Sequence, residues 1–350
     1  MKIAQLVHLS VSVPPEKYGG TERVVFHLVE ELVRLGHDVT LFASGDSTTS
    51  AKLVPMCERA LTHTQFINRD AIMTQMLEQV WNLSHQFDII HSHLDFVGFP
   101  LARRSEIPVI TTVHGHLGAP ELAKVYREFW EIPVVSVSYA QRAPFPSNNW
   151  KANVYHGMPV DLYPFHSKPQ GYFAFMGRMS PEKSPEVAIR IAQQLGMPLR
   201  MAAKVDPIDR AYFETEIAPL LADPLIQFIG EISDREKGEF LGNASAVLCP
   251  HRPESFGLVL IEALACGTPV VTYRHGSYPE LIGHEATGFL CRDEHEMVQA
   301  ARRVGEIDRG RCRQAFEERF TAERMAKEYV QLYERMLQEA SVSESFSSDE

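Results

Sequence analysis

The feature that constrains the fold most is a repeated alternation of short apolar runs with helical stretches. Residues 2–43 have the pattern strand, glycine-containing loop, helix and strand. Apolar residues recur there at helical spacing between Val25 and Leu32, and a β-rich run follows at 38–43. Three more short apolar runs are typical of buried parallel strands and lie at 88–91, 108–113 and 133–137. The first half is therefore predicted to be α/β.

The same alternation starts again after an irregular segment at 158–171. A strand is expected at 172–176, followed by a helix with Ser184 as its N-cap and Pro185 at its first position. A chain of 350 residues exceeds what one hydrophobic core usually organises. The sequence therefore predicts an α/β protein of two Rossmann-like domains, with parallel sheets facing across a cleft where ligands meet the carboxyl ends of strands.

The expected domain limits follow from the irregular segment and from the pattern near the C-terminus. The first domain should cover residues 1–165 and the second 166–320. A helical pattern covers 321–340, and the Ser- and acid-rich residues 341–350 predict a disordered tail.

Charge and cysteine content disfavour several classes of partner. The formal net charge is −11 and no long Lys/Arg run is present, so nucleic acid and anionic membrane surfaces are not expected partners. No apolar stretch approaches the ~20 residues that cross a bilayer, so no integral membrane segment is expected. The five scattered cysteines favour neither a disulfide framework nor a metal knuckle, and they fit a cytoplasmic location.

The most informative motif is Glu-Ser-Phe-Gly-Leu-Val-Leu-Ile-Glu at 254–262. It follows an apolar run at 246–249 and opens a predicted helix that Gly267 ends. Glu254 then lies just before the helix, on the side to which the first backbone N–H groups point. Such a helix start attracts anions and hydroxyl-rich ligands. Taken alone, each glutamate would be interpreted as an ordinary solvated charge.

A second motif carries two cations in the loop after the strand that opens the second half. Arg178 and Lys183 are five residues apart. The guanidinium offers a rigid fork to phosphate oxygens and the ammonium a compact charge, so together they suit a diphosphate without a metal ion. The plain alternative is a pair of solvated surface charges.

Two weaker signals lie in the first half. Gly19 and Gly20 separate the first strand from the first helix, where absent side chains allow close approach of a phosphate or simply a tight turn. Two His-x-His pairs follow predicted strands: His91 with His93, and His114 with His116. They are open to two interpretations, a zinc site of a hydrolase or histidines held by hydrogen bonds at strand ends.

With these segments in order, the chain resembles the retaining glycosyltransferase family 4, whose members have the two-domain GT-B fold. The resemblance runs from Met1 to about residue 340 and is most specific over 254–290. The family often has glycine after the motif lysine, where this chain has Ser184. It also implies that the C-terminal helix crosses back to the first domain.

The resemblance implies a role for each motif. Arg178 and Lys183 would hold the donor diphosphate, Glu254 the hydroxyls of the transferred sugar and Glu262 the nucleotide ribose. His114 would approach the sugar and the leaving phosphate, with Gly19 and Gly20 on the phosphate side. Further donor contacts are expected from the segment Ser255, Phe256, Gly257 and Leu258.

The function so implied is a retaining, metal-independent glycosyltransferase whose catalytic residues are His114, Arg178, Lys183 and Glu254. It would need no cofactor beyond its co-substrate, a nucleotide sugar such as a UDP-sugar. The first domain would take a small-molecule, glycan or lipid-linked acceptor and the second the donor. Three alternatives stay open: a non-catalytic sugar-nucleotide-binding protein, a GT-B sugar-nucleotide epimerase and a zinc hydrolase.

Overall fold

The computed structural model describes residues 1–17, 19–63, 68–252 and 254–347. The chain divides into two compact units. The first unit is Met1–Pro159 together with the C-terminal helix that begins at Ala322, and the second is Val160–Thr321. The division lies at Pro159 and not after residue 165, so the whole irregular segment beyond Pro159 belongs to the second unit.

In the described part of the first unit, seven strands form a parallel sheet in the order β3-β2-β1-β4-β5-β6-β7. The strands are β1 Lys2–Leu6, β2 Asp38–Ala43, β3 Lys52–Pro55, β4 Ile89–Ser92, β5 Val109–Thr112, β6 Val134–Ser136 and β7 Trp150–Asn153. The helices between them are α1 Gly20–Arg34, α2 Arg69–Leu83, α3 Phe99–Ala102 and α4 Leu122–Glu128. The predicted apolar face of α1 is buried, with Leu28 and Leu32 fully inaccessible to solvent.

In the described part of the second unit, six parallel strands follow the order β10-β9-β8-β11-β12-β13. They are β8 Phe173–Arg178, β9 Leu199–Lys204, β10 Ile226–Gly230, β11 Ala246–Cys249, β12 Val270–Tyr273 and β13 Gly288–Cys291. The helices are α5 Pro185–Leu195, α6 Arg210–Tyr212, α7 Asp234–Gly242, α8 Leu258–Ala265, α9 Tyr278–Leu281, α10 Glu294–Arg302 and α11 Arg309–Arg319. The prediction of two parallel-sheet α/β domains is confirmed.

Each sheet has one topological switch point, called here the reversal point, where the strand order reverses because later strands are added on the other side of the first strand. In the first unit it lies between β1 and β4, and in the second between β8 and β11. Loops at the carboxyl ends of two such strands diverge and leave a crevice, where ligands of open α/β sheets bind. The motifs after β1, β4, β8 and β11 all lie at these two places.

The C-terminal helix, α12 Ala322–Ser347, is part of the first unit. Its tyrosines enter that unit's core: the hydroxyl of Tyr333 lies 2.7 Å from His91 Nδ1. The described helix continues through Ser347, seven residues beyond the predicted end of the helical pattern at residue 340. A helix that is already formed gains one hydrogen bond for each residue added, which even a polar sequence can exploit.

Ser184 does not cap α5 as predicted. Its backbone is left-handed, with φ of 47°, and its hydroxyl donates to the carbonyl of Pro181 at 3.1 Å. The amides of Lys183 and Ser184 both donate to the carbonyl of Ser180, so a tight turn, and not a cap, precedes the helix. Glycine adopts this conformation at no steric cost, which accounts for its frequent use at this position in the family that the sequence resembles. The prediction of Pro185 at the first helical position is confirmed.

Gly267 ends α8 as predicted, in a left-handed conformation with φ of +80°. A Cβ atom there would lie 3.1 Å from the Arg309 carbonyl oxygen and 2.5 Å from the Phe165 ring. Gly171 has a similar φ of +81°, but a Cβ atom there would have no neighbour within 4 Å. A comparison of alanine substitutions at these two glycines therefore separates the effect of backbone strain from that of steric conflict.

We predict that Gly267→Ala destabilises the protein more than Gly171→Ala does. In Gly171→Ala, the free energy of unfolding should fall only by the strain of a left-handed alanine, ~1–3 kcal/mol. In Gly267→Ala, it should fall by this strain and also by the cost of displacing packed atoms. The measurement is the free energy of unfolding in denaturant for both variants. Equal losses would contradict the close packing around Gly267.

Candidate functional site

Two loops meet at the reversal point of the second sheet. One joins β8 to α5 and the other joins β11 to α8, and their strands are neighbours in the sheet. The amide of Arg252 donates to the carbonyl oxygen of Glu182 at 2.8 Å, which links the two loops through their backbones. The cationic motif and the first glutamate of the 254–262 motif are thereby brought together.

Lys183, Glu254 and His251 form a compact charged cluster in these loops. Lys183 Nζ donates to Glu254 Oε1, and His251 Nδ1 donates to the same oxygen at 2.8 Å. Burial by itself would raise the pKa of Glu254, but the His251 hydrogen bond and the Lys183 charge together hold it well below its ordinary value. Glu254 is therefore an ionised, half-buried carboxylate with its orientation fixed.

His251 is a residue that the sequence analysis missed. Its side chain is buried, and burial together with the Lys183 charge lowers its pKa, so the ring is neutral. Because Nδ1 donates to Glu254, Nε2 is a bare acceptor, and this buried atom has no hydrogen-bond partner in the described residues. The only signal in the sequence was its position two residues after the end of β11.

Arg178 lies at the end of β8 between two carboxylates. Its Nη2 atom donates to Glu182 Oε2 at 3.1 Å, and its Nε atom is 3.1 Å from Asp209 Oδ2. The second contact is an ion pair that is poorly aligned for a hydrogen bond. The two carboxylates fix the guanidinium in place and leave it partly exposed.

The turn from Glu254 to Gly257 is held from α9. Ser277 Oγ donates to the carbonyl oxygens of Glu254 and Phe256, the first at 3.2 Å. Gly257 has φ of +118°, and a Cβ atom there would meet the Tyr278 ring at 3.2 Å. Ser255 and Phe256 are buried, whereas Leu258, the first residue of α8, is partly exposed. This fixed turn aims the start of α8, whose first N–H groups have no partner within the helix.

Glu262 is placed differently from Glu254. Its carboxylate is buried, and its Oε1 atom accepts hydrogen bonds from Lys237 Nζ at 2.9 Å and from the Tyr163 hydroxyl at 3.3 Å. Asp234 shares the same lysine at 3.2 Å. Any ligand hydroxyl that reaches Glu262 would therefore join an existing ion pair.

In the first unit, the glycine motif lies at the start of α1. A Cβ atom on Gly19 would lie 2.7 Å from Pro15 Cβ, so close packing of the preceding loop already requires glycine there. Gly20 is exposed and is the first residue of α1. Tyr18, which begins this motif, lies outside the described residues.

The two histidine pairs do not share one environment. His91 and His93 are buried and hydrogen-bonded through both ring nitrogens: His91 to Tyr333 and Thr112, His93 to Gln5 and His114. This set of seven residues, completed by Tyr329 on Thr112 Oγ1 at 2.8 Å, is the glutamine–histidine network. His116 is exposed and lies beyond the end of β5.

His114 is a half-buried member of this network. Its ring stacks on that of His156 with centroids 5.2 Å apart, and burial lowers its pKa to about 3. Its backbone N–H donates to Asp95 Oδ1 at 2.8 Å. The ring is therefore a neutral hydrogen-bonding group at neutral pH.

The described residues contain neither a metal-binding cluster nor a membrane-spanning helix. No group of three or more His, Cys, Asp or Glu side chains among them is arranged to hold a metal ion. No helix in this part of the chain is long and apolar enough to cross a membrane.

We predict that Lys183→Met destabilises the protein at neutral pH, because it leaves the Glu254 carboxylate without its cation. For a half-buried pair the loss should be ~1–3 kcal/mol. In the wild type, the stabilisation from the lowered pKa of Glu254 is present above the unfolded pKa of about 4.3 and is lost as the pH falls through the folded pKa. Removing Lys183 moves the folded pKa up, so the deficit of the variant should shrink in acid.

Denaturant unfolding at pH 7 and pH 3 measures this difference. Arg292→Met is the control, because it removes an exposed cation from the same unit and should change stability little at either pH. A deficit of Lys183→Met that grows in acid would show that Glu254 does not depend on Lys183.

Two family models match the chain. The model described as Glycosyltransferase Family 4 matches residues 18–174, and the model described as Glycosyl transferases group 1 matches residues 164–319. The first covers most of the first unit and the second nearly all of the second unit. Each unit is thus matched mainly by its own family model.

Similar proteins point the same way. The chain is 24% identical over 350 residues to D-inositol 3-phosphate glycosyltransferase of Mycolicibacterium smegmatis, covering 83% of this chain and 78% of that protein. It is 32% identical over 161 residues to the protein of the same name from Mycobacterium tuberculosis, covering 45% of this chain and 32% of that one.

Solved structures share the fold. Sucrose-phosphate synthase of Thermosynechococcus elongatus superposes with a TM-score of 0.80 at 19% identity, over 96% of this chain and 99% of that one. Anabaena HepE in complex with UDP-glucose gives a TM-score of 0.72 at 17% identity, over 98% and 100% of the two chains.

Proposed function

Because the chain belongs to the family-4-like glycosyltransferases of the GT-B fold, we propose that it uses a nucleoside-diphosphate sugar as donor. We further propose that it transfers the sugar to an acceptor hydroxyl with retention of anomeric configuration and without a metal ion. The observation that carries this proposal is the joining of Lys183 to Glu254, beside Arg178, at the reversal point of the second sheet.

The proposed chemistry needs both signs of charge in this place. The departing nucleoside diphosphate gains negative charge as the glycosidic bond breaks, and Arg178 with Lys183 would stabilise it. Glu254, ionised and held by Lys183 and His251, is suited to accept hydrogen bonds from sugar hydroxyls. The sugar would pass through an oxocarbenium-like state as the acceptor attacks.

Further contacts follow the resemblance residue by residue. Glu262 would hold the ribose, and the start of α8 at Phe256, Gly257 and Leu258 would meet the sugar through backbone amides. From the first unit, His114 would meet the sugar, and Gly19 and Gly20 would line the phosphate side. Ser255 is buried beside Glu254 and would shape the turn.

The donor base and the location of the reaction are part of the proposal. HepE was solved with UDP-glucose, which makes UDP-sugars the first donors to test. All five cysteines of this chain are described and all are free thiols, as expected of a protein that works in the cytoplasm. A phosphorylated cyclitol, by analogy with the similar mycobacterial proteins, is one acceptor to test among small molecules, glycans and lipid-linked sugars.

The test is binding and turnover in EDTA. UDP or another nucleoside diphosphate should raise the melting temperature in the absence of metal, and the matching nucleotide sugar should be consumed with a product of unchanged anomeric configuration by NMR. An absolute need for a divalent metal, or zinc lost together with activity on chelation, would overturn the proposal.

We predict that Arg178→Ala weakens binding of the bare nucleoside diphosphate and also slows transfer. Loss of one charge-assisted contact of about 1.5–3 kcal/mol corresponds to a roughly ten- to hundredfold loss of affinity. Arg190→Ala is the matched control, because Arg190 lies on α5 in the same unit and pairs with Glu294 at the surface. Calorimetric titration should distinguish the two, and equal affinities would show that the diphosphate does not meet Arg178.

We predict the opposite balance for Glu254→Gln. The amide keeps the shape of the side chain but loses the charge proposed to meet the sugar, so turnover should fall more than diphosphate affinity does. Initial-rate kinetics set beside calorimetry measure both quantities. A variant with reduced diphosphate affinity and unchanged kcat would place Glu254 at the phosphates and not at the sugar.

A further inference from the structure

The side-chain amide of Gln5 joins two chains of hydrogen bonds in the core of the first unit. Gln5 lies on β1 and is fully buried. Its Oε1 atom is 2.9 Å from His93 Nε2, and its Nε2 atom donates to the Tyr333 hydroxyl at 3.2 Å. An amide oxygen only accepts and an amide nitrogen only donates, so Gln5 imposes a direction on each chain.

The first chain leads from Gln5 to His114. Because Gln5 Oε1 only accepts, the proton of His93 is on Nε2. Burial and the neighbouring histidines keep the pKa of His93 well below its usual value, so its Nδ1 atom is a bare acceptor. His114 Nε2 lies 2.9 Å from that atom and therefore carries the proton of the hydrogen bond. His114 is also neutral, which leaves its Nδ1 atom without a proton.

The second chain is consistent with the same amide orientation. The Tyr333 hydroxyl accepts from Gln5 and donates to His91 Nδ1 at 2.7 Å. His91 then carries its proton on Nε2 and donates to Thr112 Oγ1 at 2.7 Å. Reversing the Gln5 amide would reverse every one of these bonds. With the amide in this orientation, all three histidines are assigned the Nε2–H tautomer, which is also the more stable form of free histidine.

The hydrogen-bond chain from Gln5 to His114 ends at an accessible nitrogen atom, His114 Nδ1. Within the described residues, His114 Nδ1 has no hydrogen-bond partner, and it is not among the buried unpaired atoms. The His114 ring stacks on the His156 ring, and the His114 backbone N–H donates a hydrogen bond to Asp95. The network therefore presents one lone pair of fixed direction at the edge of the first unit.

We propose that Gln5 and His93 are positioning residues that hold His114 as its Nε2–H tautomer, so that His114 Nδ1 meets the sugar as a hydrogen-bond acceptor. This inference rests on the proposed function, in which His114 approaches the donor sugar. It adds a specificity rule: the sugar position at His114 must carry a hydroxyl that donates. A donor analogue in which that hydroxyl is a methoxy group or is absent should be discriminated against, because the oriented acceptor His114 Nδ1 would lose its partner.

The direct test is the tautomer itself. Nitrogen-15 NMR of the full-length protein at pH 7.5, without ligand, distinguishes Nε2–H from Nδ1–H rings, and His114→Gln and His93→Gln assign the signals. We expect the Nε2–H form at both positions. An Nδ1–H form or a rapidly averaged signal at His114 would overturn the proposal.

The variant Gln5→Glu should reverse the direction of the hydrogen bond between His93 and His114. Gln5→Glu places a carboxylate against His93, whose other titratable neighbours are His8, His91, His114 and His156. The carboxylate raises the pKa of His93 and favours its doubly protonated form, which must donate from Nδ1 to His114. We expect the His114 signal to change to the Nδ1–H form at pH 7.5. Tyr329→Phe, which removes one buried hydroxyl from the far end of the network, is the control and should leave His114 unchanged.

The wild-type spectrum decides the inference even if Gln5→Glu does not fold. Where it folds, transfer from the active nucleotide sugar should fall at least tenfold, and unchanged transfer with a reversed tautomer would overturn the functional part. The expected tautomer in a protein that binds no nucleotide sugar would support the network and refute only the proposed function. The opposite tautomer in an active transferase would refute only the network.

Discussion

The ion pair between Lys183 and Glu254 is the interaction on which the second unit's site depends. It joins the loop after β8 to the loop after β11. These two strands are neighbours only because the strand order reverses between them. A half-buried carboxylate is costly to leave without a cation, so the pair also fixes the distance at which the loops can approach. The backbone hydrogen bond from Arg252 to Glu182 then links the same two loops. The hydrogen bonds of Ser277 hold the turn that follows Glu254.

The two units use the same topological position with different chemistry. At the reversal point of the second sheet, charged groups such as Lys183 and Glu254 are paired. At that of the first sheet, the network around Gln5 is neutral and its histidines have lowered pKa values. Ion pairs suit the binding of a charged diphosphate, whereas neutral groups of fixed direction suit the recognition of hydroxyls. The first unit therefore presents neutral groups at its reversal point, whereas the second unit presents charged groups there.

The sequence predicted those parts of the fold that depend on local chemistry. The runs that became β4, β5, β6 and β11 are buried on both faces and stand out as apolar. The strands β3, β7, β9, β10, β12 and β13 were not predicted. Of these, β3 and β7 are sheet edges with partly exposed side chains and no apolar run. In the site, the sequence indicated Lys183 and Glu254 but not His251, because a hydrogen bond across three residues in a loop leaves no periodicity to detect.

Pairing also explains what the sequence could not show about Arg178. Spacing predicted a cation available to phosphate, whereas the structure places carboxylates on both sides of it. The two partners are not equivalent, because the side chain of Glu182 is 68% exposed and that of Asp209 only 12%. An exposed pair contributes little and is easily exchanged, so a phosphate of the proposed donor would replace Glu182 at small cost. Asp209 would remain and keep the guanidinium in position, and a group already oriented before the charge develops is the most effective kind of electrostatic stabiliser.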